Sequence, residues 1–339
     1  MIPRLLAHLT GTWKEQLAEQ GMRLTPPLEI LQASAPPGAA RKITFLVFEA
    51  GATRPELVLK IMRTCAHQRG LQREYQILRR LGERSDLHAS VPQPLGLFHD
   101  GERLVLAERY LPGTPLSQLL QRQLPSQEEV SLHLKRTGAW LRQFQAKEPL
   151  RATTFSGWEQ VSGRLERLPR EVQLPLAFRN RLKELARRYH GLPLAQVPAH
   201  GDFWPGNILW RTDSLSVADW ETYSPTRSHF YDHYLFVTTY AEAYPWGRWR
   251  RPARAERFRR GFLADTWLAR LLAGAMRAHL RQWGLPLASA ELWYPLFLLK
   301  MATPGPEEGE KRRQQAGPWQ ERLQQVAETG GLPTLTGGR

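Results

Sequence analysis

His200-Gly201-Asp202-Phe203-Trp204-Pro205-Gly206-Asn207 and, shortly after it, Val217-Ala218-Asp219-Trp220-Glu221 decide how this chain is read. Ile208 to Arg211 is an apolar-rich run, Thr212 to Ser214 carries turn chemistry, and Leu215 to Ala218 is a second strand-like run, so the segment predicts a hairpin. That return brings Asp219 beside Asn207. A carboxylate and an amide oxygen converging on one point suit a hard cation that takes oxygen ligands and keeps several waters, as Mg²⁺ does when it carries phosphates. Pro205 and Gly206 suit a tight loop ahead of the hairpin, one fixing its own φ and the other tolerating conformations closed to other residues. Asp, Pro, Gly and Asn also make ordinary surface turns, and the first motif alone leaves that reading standing; the second weighs strongly against it.

Together the two motifs resemble the signature of the aminoglycoside phosphotransferase and choline kinase family: His-Gly-Asp, four residues, Asn, then Ile/Val-x-Asp-Trp/Phe-Glu. The resemblance implies an α+β, bilobal protein-kinase-like fold, with a small antiparallel-sheet N-lobe and a larger, mainly helical C-lobe. It implies Asp202 as catalytic base facing an acceptor hydroxyl, Asn207 and Asp219 as Mg²⁺ ligands, and His200 as a structural support of the catalytic loop. Where protein kinases usually carry Arg before the catalytic Asp, this chain has Gly201, so no Arg waits there to read a phosphorylated activation loop. Further along, Asp232 in Ser228-His229-Phe230-Tyr231-Asp232-His233 stands where the family has an Asp-Leu-like element, here Asp-His, and is expected to bond inward and hold that loop. His229 and His233, four apart, would share a helix face, but no third ligand is evident and packing is the preferred reading over a metal site.

A small lobe should precede these motifs. Glu56 to Ile61 is an apolar strand carrying Lys60, and the helix-patterned run Gln72 to Leu81 carries Glu74. Their order and spacing fit an ion pair that presents the Lys charge to the α and β phosphates of ATP. Leu104 to Ala107 reads as a buried strand ending in Glu108-Arg109-Tyr110-Leu111-Pro112-Gly113, which resembles an interlobe hinge, so Glu108 and Tyr110 are cofactor-binding candidates; ATP is favoured by family and GTP stays open. Ile30 to Ala33 and Lys42 to Phe48 read as a strand pair around Ser34 to Ala40, which is not a Gly-x-Gly-x-x-Gly loop; a phosphate-covering loop and a plain turn both remain readings. The expected organisation is 1–107 for an N-terminal extension and nucleotide-binding lobe, 108–113 for the hinge, and 114–339 for the catalytic and acceptor-binding lobe.

The length of 339 residues suits two lobes. No long apolar run or signal pattern is present, which gives the expectation of a cytoplasmic protein with no transmembrane segment. A single cysteine, Cys65, excludes an internal disulfide framework. The net charge of +15 invites a nucleic-acid reading, but Arg supplies 39 of the 47 basic residues, a skew that codon bias also produces, and no nucleic-acid partner is expected. Trp246 to Arg254, continuing to Arg260, interleaves aromatics and cations. It reads either as a face for phosphates or anionic lipid headgroups or as a solvated helix with Trp turned inward. The leading expectation is therefore an ATP- and Mg²⁺-dependent phosphotransferase acting on a small-molecule hydroxyl, with an anionic or glycan acceptor as its sharper form. A catalytically silent module that binds an anionic polymer and an atypical protein kinase are the alternatives.

Overall fold

The computed structural model describes residues 1–34, 42–62, 68–146, 151–247, 252–305 and 316–332. In chain order the elements are α1 (Ile2–Thr10), α2 (Lys14–Glu19), β1 (Leu28–Ser34), β2 (Lys42–Glu49), β3 (Leu57–Met62), α3 (Gln68–Gly82), β4 (Pro94–Asp100), β5 (Arg103–Arg109) and the two-residue β6 (Thr114–Pro115). There follow α4 (Leu116–Arg122), α5 (Gln127–Ala146), β7 (Arg151–Thr154), α6 (Trp158–Leu165), α7 (Leu176–Arg188), β8 (Pro193–Ala199), β9 (Ile208–Trp210), β10 (Leu215–Val217) and β11 (Ser224–Ser228). The last helices are α8 (Phe230–Ala243), α9 (Arg254–Phe262), α10 (Trp267–Gln282), α11 (Ala290–Ala302) and α12 (Ala316–Glu328). Two compact units result, Met1–Thr114 with Asn207–Tyr223, and Pro115–Gly206 with Ser224–Arg339.

The first unit is built on an antiparallel sheet of order β1-β2-β3-β5-β4. Its middle strand, β3, is buried on both faces, and the period of two sorts its side chains. Leu57, Leu59 and Ile61 face a core that includes Leu5, Leu9, Trp13 and Leu17 of the first two helices and their connection. Arg4 reaches Asp100 at the end of β4, 2.7 Å away, and ties α1 to the sheet. Lys60 and Met62 point to the other face, where Met62, Leu104 and Leu106 pack with Leu71 of α3. Leu71, Glu74, Ile77, Leu78 and Leu81 form the buried stripe of that helix, so Glu74 is a carboxylate in an otherwise apolar row. The hairpin β9–β10 belongs to this unit and is fastened to it by Val217 N–H donating to Ser90 O at 2.7 Å.

In the second unit, β7, β8 and β11 form a small antiparallel sheet in the order β11-β8-β7, among helices. Helices α8 and α11 are apolar almost all round, which is the pattern of helices enclosed by others. Phe230 stacks on Trp293 with centroids 5.0 Å apart, and Phe262 on Tyr294 at 5.1 Å. Trp293, at the end of the Trp-rich stretch, is thus a core residue. A buried ion pair, Glu242–Arg322 at 2.5 Å, joins α8 to α12. Among the described residues, no helix is long and apolar enough to cross a membrane.

Helices α8 and α9 approach so closely that a Cβ on Gly261 would lie 2.6 Å from the Ala241 Cβ. Gly261→Val should therefore destabilise the protein by roughly 1–3 kcal/mol, the usual effect of overpacking, read as a lowered midpoint in urea unfolding.

Candidate active site

The register of the first unit gathers its charged groups on one face of the sheet. Thr44 of β2, Lys60 of β3 and Leu106 of β5 stand in line, Lys42 lies two residues before Thr44, and Glu108 two after Leu106. Alternation puts all of them on the α3 face. Lys60 Nζ donates to Glu74 Oε1 at 2.6 Å and to Glu108 Oε1 at 2.7 Å, with all three side chains buried. Burial works against the ammonium, but Glu108 and then Glu74 outweigh it and hold the Lys60 pKa above its ordinary value. Burial pushes Glu108 up to about 7, against the pull of Lys60. Where the sequence suggests a hinge starting at Glu108, β5 runs on through Glu108 and Arg109, and the Glu108 side chain turns onto Lys60. Tyr110 follows, its N–H bonded to Glu56 O at 3.0 Å and its ring 5.9 Å from the Arg54 guanidinium carbon.

The hairpin adds its oxygens to the same cluster. Pairing of β9 with β10 continues one step, Ala218 N–H donating to Asn207 O at 2.9 Å, so Asp219 follows directly after a residue bonded to Asn207. Asp219 adopts φ 67°, the left-handed region that Asp visits more readily than most residues. Buried Trp220 then donates its main-chain N–H to Glu74 Oε1 at 3.3 Å and its indole N–H to Val217 O at 2.9 Å. Oxygens of Glu74, Asp219 and Glu221 come within 4.8 Å of one another, an all-oxygen donor set that fits a hard divalent cation. Between them lies the ammonium of Lys42, 3.2 Å from Glu221 and 3.5 Å from Glu74, and hydrogen-bonded to Asp219. Burial opposes that charge, yet Asp219, Glu74 and Glu221 together raise the Lys42 pKa well above its ordinary value.

The second unit carries Asp202. Strand β8 delivers the chain to buried His200 and to Gly201, whose φ of 85° is open to glycine. The carboxylate of Asp232, buried in the first turn of α8, accepts from His200 N–H at 2.6 Å and Gly201 N–H at 2.9 Å. Burial raises the Asp232 pKa, while His200 and these amides act in the opposite direction. Asp202 N–H donates to His200 Nδ1 at 3.2 Å. Phe203 anchors the next step, stacking on Trp140 of α5 with centroids 5.5 Å apart. A Cβ on Gly206 would fall 2.2 Å from the exposed Trp204 ring, so a larger residue there would require that indole to turn away.

His229, just before α8, and His233 within it belong to packing. His233 stacks on His279 at 4.2 Å, and His229 Nδ1 lies 3.4 Å from His279 Nε2. Burial lowers His229 to about 3 and His233 to about 4, which keeps both neutral at ordinary pH. Of the basic stretch, residues 248–251 lie outside the described residues, as do Cys65 and the 35–40 part of the segment considered for a phosphate loop. Arg259 and Arg260 are both paired with Glu256, and Arg254 is 3.8 Å from Glu242, so these cations already face carboxylates. Two residues of the cluster were not singled out from sequence. Glu221 is the last residue of a motif already quoted; Lys42 could be found only as a lone cation at the head of a strand on the Lys60 face.

A family model described as the Phosphotransferase enzyme family matches residues 38–273, more than half of the chain. The structure is similar to that titled the GDP and kanamycin complex of APH(2")-IIia, at 14% identity and TM-score 0.50, over 96% of this chain and 98% of that one. It is also similar to the GDP complex of a variant aminoglycoside 2'-phosphotransferase-IIIa, at 14% identity and TM-score 0.51, over 95% and 96%. At such identity the likeness is one of fold. No curated protein sequence matches the chain.

The folded protein keeps a proton on Glu108 between its ordinary pKa of 4.5 and about 7, where the unfolded chain has released it. Its contribution to stability therefore falls as pH rises through that window and is level above it. Urea unfolding of Glu108→Gln at pH 5 and pH 7.5 should show this part of the slope missing. Asp232→Ala leaves two buried N–H groups without their acceptor and should cost about 1–3 kcal/mol, with faster amide exchange at His200 and Gly201.

Proposed function

The chain belongs to the phosphotransferase enzyme family, and from that premise we propose that it transfers the γ-phosphoryl group of a purine nucleoside triphosphate to a hydroxyl of a small molecule. The observation that carries this reading is the buried Lys60 ammonium fixed between Glu74 and Glu108, on the same face as the oxygens of Asp219 and Glu221. A fully buried lysine held by two carboxylates is costly to maintain for stability alone, and a fixed positive charge beside cation ligands suits a polyphosphate.

In this reading Asp219 and Asn207 hold Mg²⁺, Lys60 meets the phosphates, and Glu74 keeps Lys60 oriented. Mg²⁺ supplies neutralisation of the charge that builds on the phosphate oxygens during transfer. Asp202 accepts the hydroxyl proton as the acceptor oxygen bonds to the γ-phosphorus. The bond from that phosphorus to the β–γ bridging oxygen breaks, and the nucleoside diphosphate leaves with the electron pair. Asp232 and His200 keep the loop bearing Asp202 in place. Catalysis is then mostly positioning and charge neutralisation. ATP is the first nucleotide to test; the GDP in the two complexes compared above makes GTP the second.

For the acceptor we propose a saccharide or amino-sugar hydroxyl. The interleaved aromatics and cations of residues 246–260 support this form, and the carboxylate partners of Arg254, Arg259 and Arg260 weaken the anionic version of it. The test is nucleotide consumption over aminoglycosides, amino alcohols, sugars and phosphorylated glycans, with ATP and GTP in parallel. Asp202→Asn should lower kcat by about 10²–10⁴-fold, the range of a general base, with little change in nucleotide KM. Full activity in that variant would overturn the assignment of Asp202.

A further inference from the structure

The cation that lies among Glu74, Asp219 and Glu221 is not Lys60 but Lys42. Lys60 is fully committed elsewhere, enclosed at 2.6 and 2.7 Å by Glu74 and Glu108. Lys42 differs in three respects. Its side chain keeps 16% of its surface exposed against 7% for Lys60. It stands at the first residue of β2, where backbone pairing to Met62 fixes the main chain but leaves the four-carbon stem to turn. And Glu74 Oε2, its partner at 3.5 Å, has no hydrogen bond, so that contact is charge attraction without directional hold.

The charge balance gives this arrangement a direction. Among the described residues, three carboxylates, Glu74, Asp219 and Glu221, face the two ammonium groups even where Glu108 carries its proton, so this set keeps an excess of negative charge with both lysines in place. A divalent cation ligated by Asp219 needs the oxygens that Lys42 now occupies, since cation–oxygen distances of about 2.0–2.6 Å leave no room for an ammonium at the same point. Two cations cannot share it. Resting on the phosphotransferase reading above, we propose that Lys42 is the movable counter-ion of the site. It holds Asp219 and Glu221 while the metal is absent, yields them when the metal-bound nucleotide arrives, and turns its charge to the polyphosphate. Lys42 is then a specificity residue for the loaded nucleotide: free metal must expel it without compensation, whereas metal that brings phosphates gives the ammonium a new anionic partner.

The experiment titrates the full chain with Mn²⁺ alone, and with Mn²⁺ plus a non-hydrolysable ATP analogue, following free Mn²⁺ by electron paramagnetic resonance. Lys42→Met should bind Mn²⁺ alone at least about tenfold more tightly than the wild type, the equivalent of one charge pair, and bind the analogue more weakly. Lys42→Arg, which keeps the charge, should stay near the wild type for Mn²⁺ alone. As a measure free of substitution, amine-reactive labelling of Lys42 in the wild type should increase when Mg²⁺ is added without nucleotide. Unchanged or weaker Mn²⁺ binding in folded Lys42→Met overturns the proposal, and unaltered labelling does so even if that variant does not fold. A wild type that binds no metal–nucleotide complex sinks the phosphotransferase reading itself, whereas normal binding with no effect of Lys42 sinks only this inference.

Discussion

A lysine fully enclosed by protein cannot stay charged without partners, and the first unit is arranged so that Lys60 has two. That requirement reaches well beyond the three side chains. It sets which face of β3 meets α3, because a slip of one residue would turn the ammonium into the core of Leu5, Leu9 and Trp13. It places a carboxylate in the apolar stripe of α3, and it carries β5 on through Glu108. Trp220 N–H, donating to Glu74, then couples the end of the hairpin to the same carboxylate. Strand register, helix docking and hairpin position are in this sense one electrostatic solution.

The second unit fixes its key loop by another means. Asp232 offers both carboxylate oxygens to consecutive main-chain amides, so it is the backbone around His200 and Gly201 that is immobilised. Phe203 on Trp140, and Trp204 over Gly206, do the same through packing. Asp202 therefore stands on a loop whose neighbours on either side are held by hydrogen bonds or aromatic faces. Such support lets a side chain keep its orientation without being buried itself.

Much of this was legible in the chain because the informative signals are local. The hairpin shows in turn residues between two short apolar runs, and Lys60 and Glu74 show as charges inside strand and helix patterns. The family shows as a resemblance carried by the residues His200 to Asn207 and Val217 to Glu221. What was hidden depends on register between distant strands. Nothing near Lys42 in sequence announces that it shares a face with Lys60, nor that Glu221, far along the chain, would reach it. Pro112 and Gly113 dominate the local signal around Glu108, whereas its pairing with Lys60 depends on the register of β5 against β3 and does not show in the sequence. The same holds for His279, which completes the stack on His233 from another helix.

The backbone at Asp219 restricts what can ever occupy that position. A left-handed φ of 67° excludes β-branched residues on steric grounds, so Thr and Val are barred whatever the surrounding chemistry would accept. Asn and Gly tolerate the conformation but bring no charge. Among the residues that fit, aspartate alone offers both the curl of the chain and an anion at its tip. Drift at this site is thus confined by shape before any selection on its charge acts, and a homologue carrying any other residue there would have given up the carboxylate or rebuilt the turn.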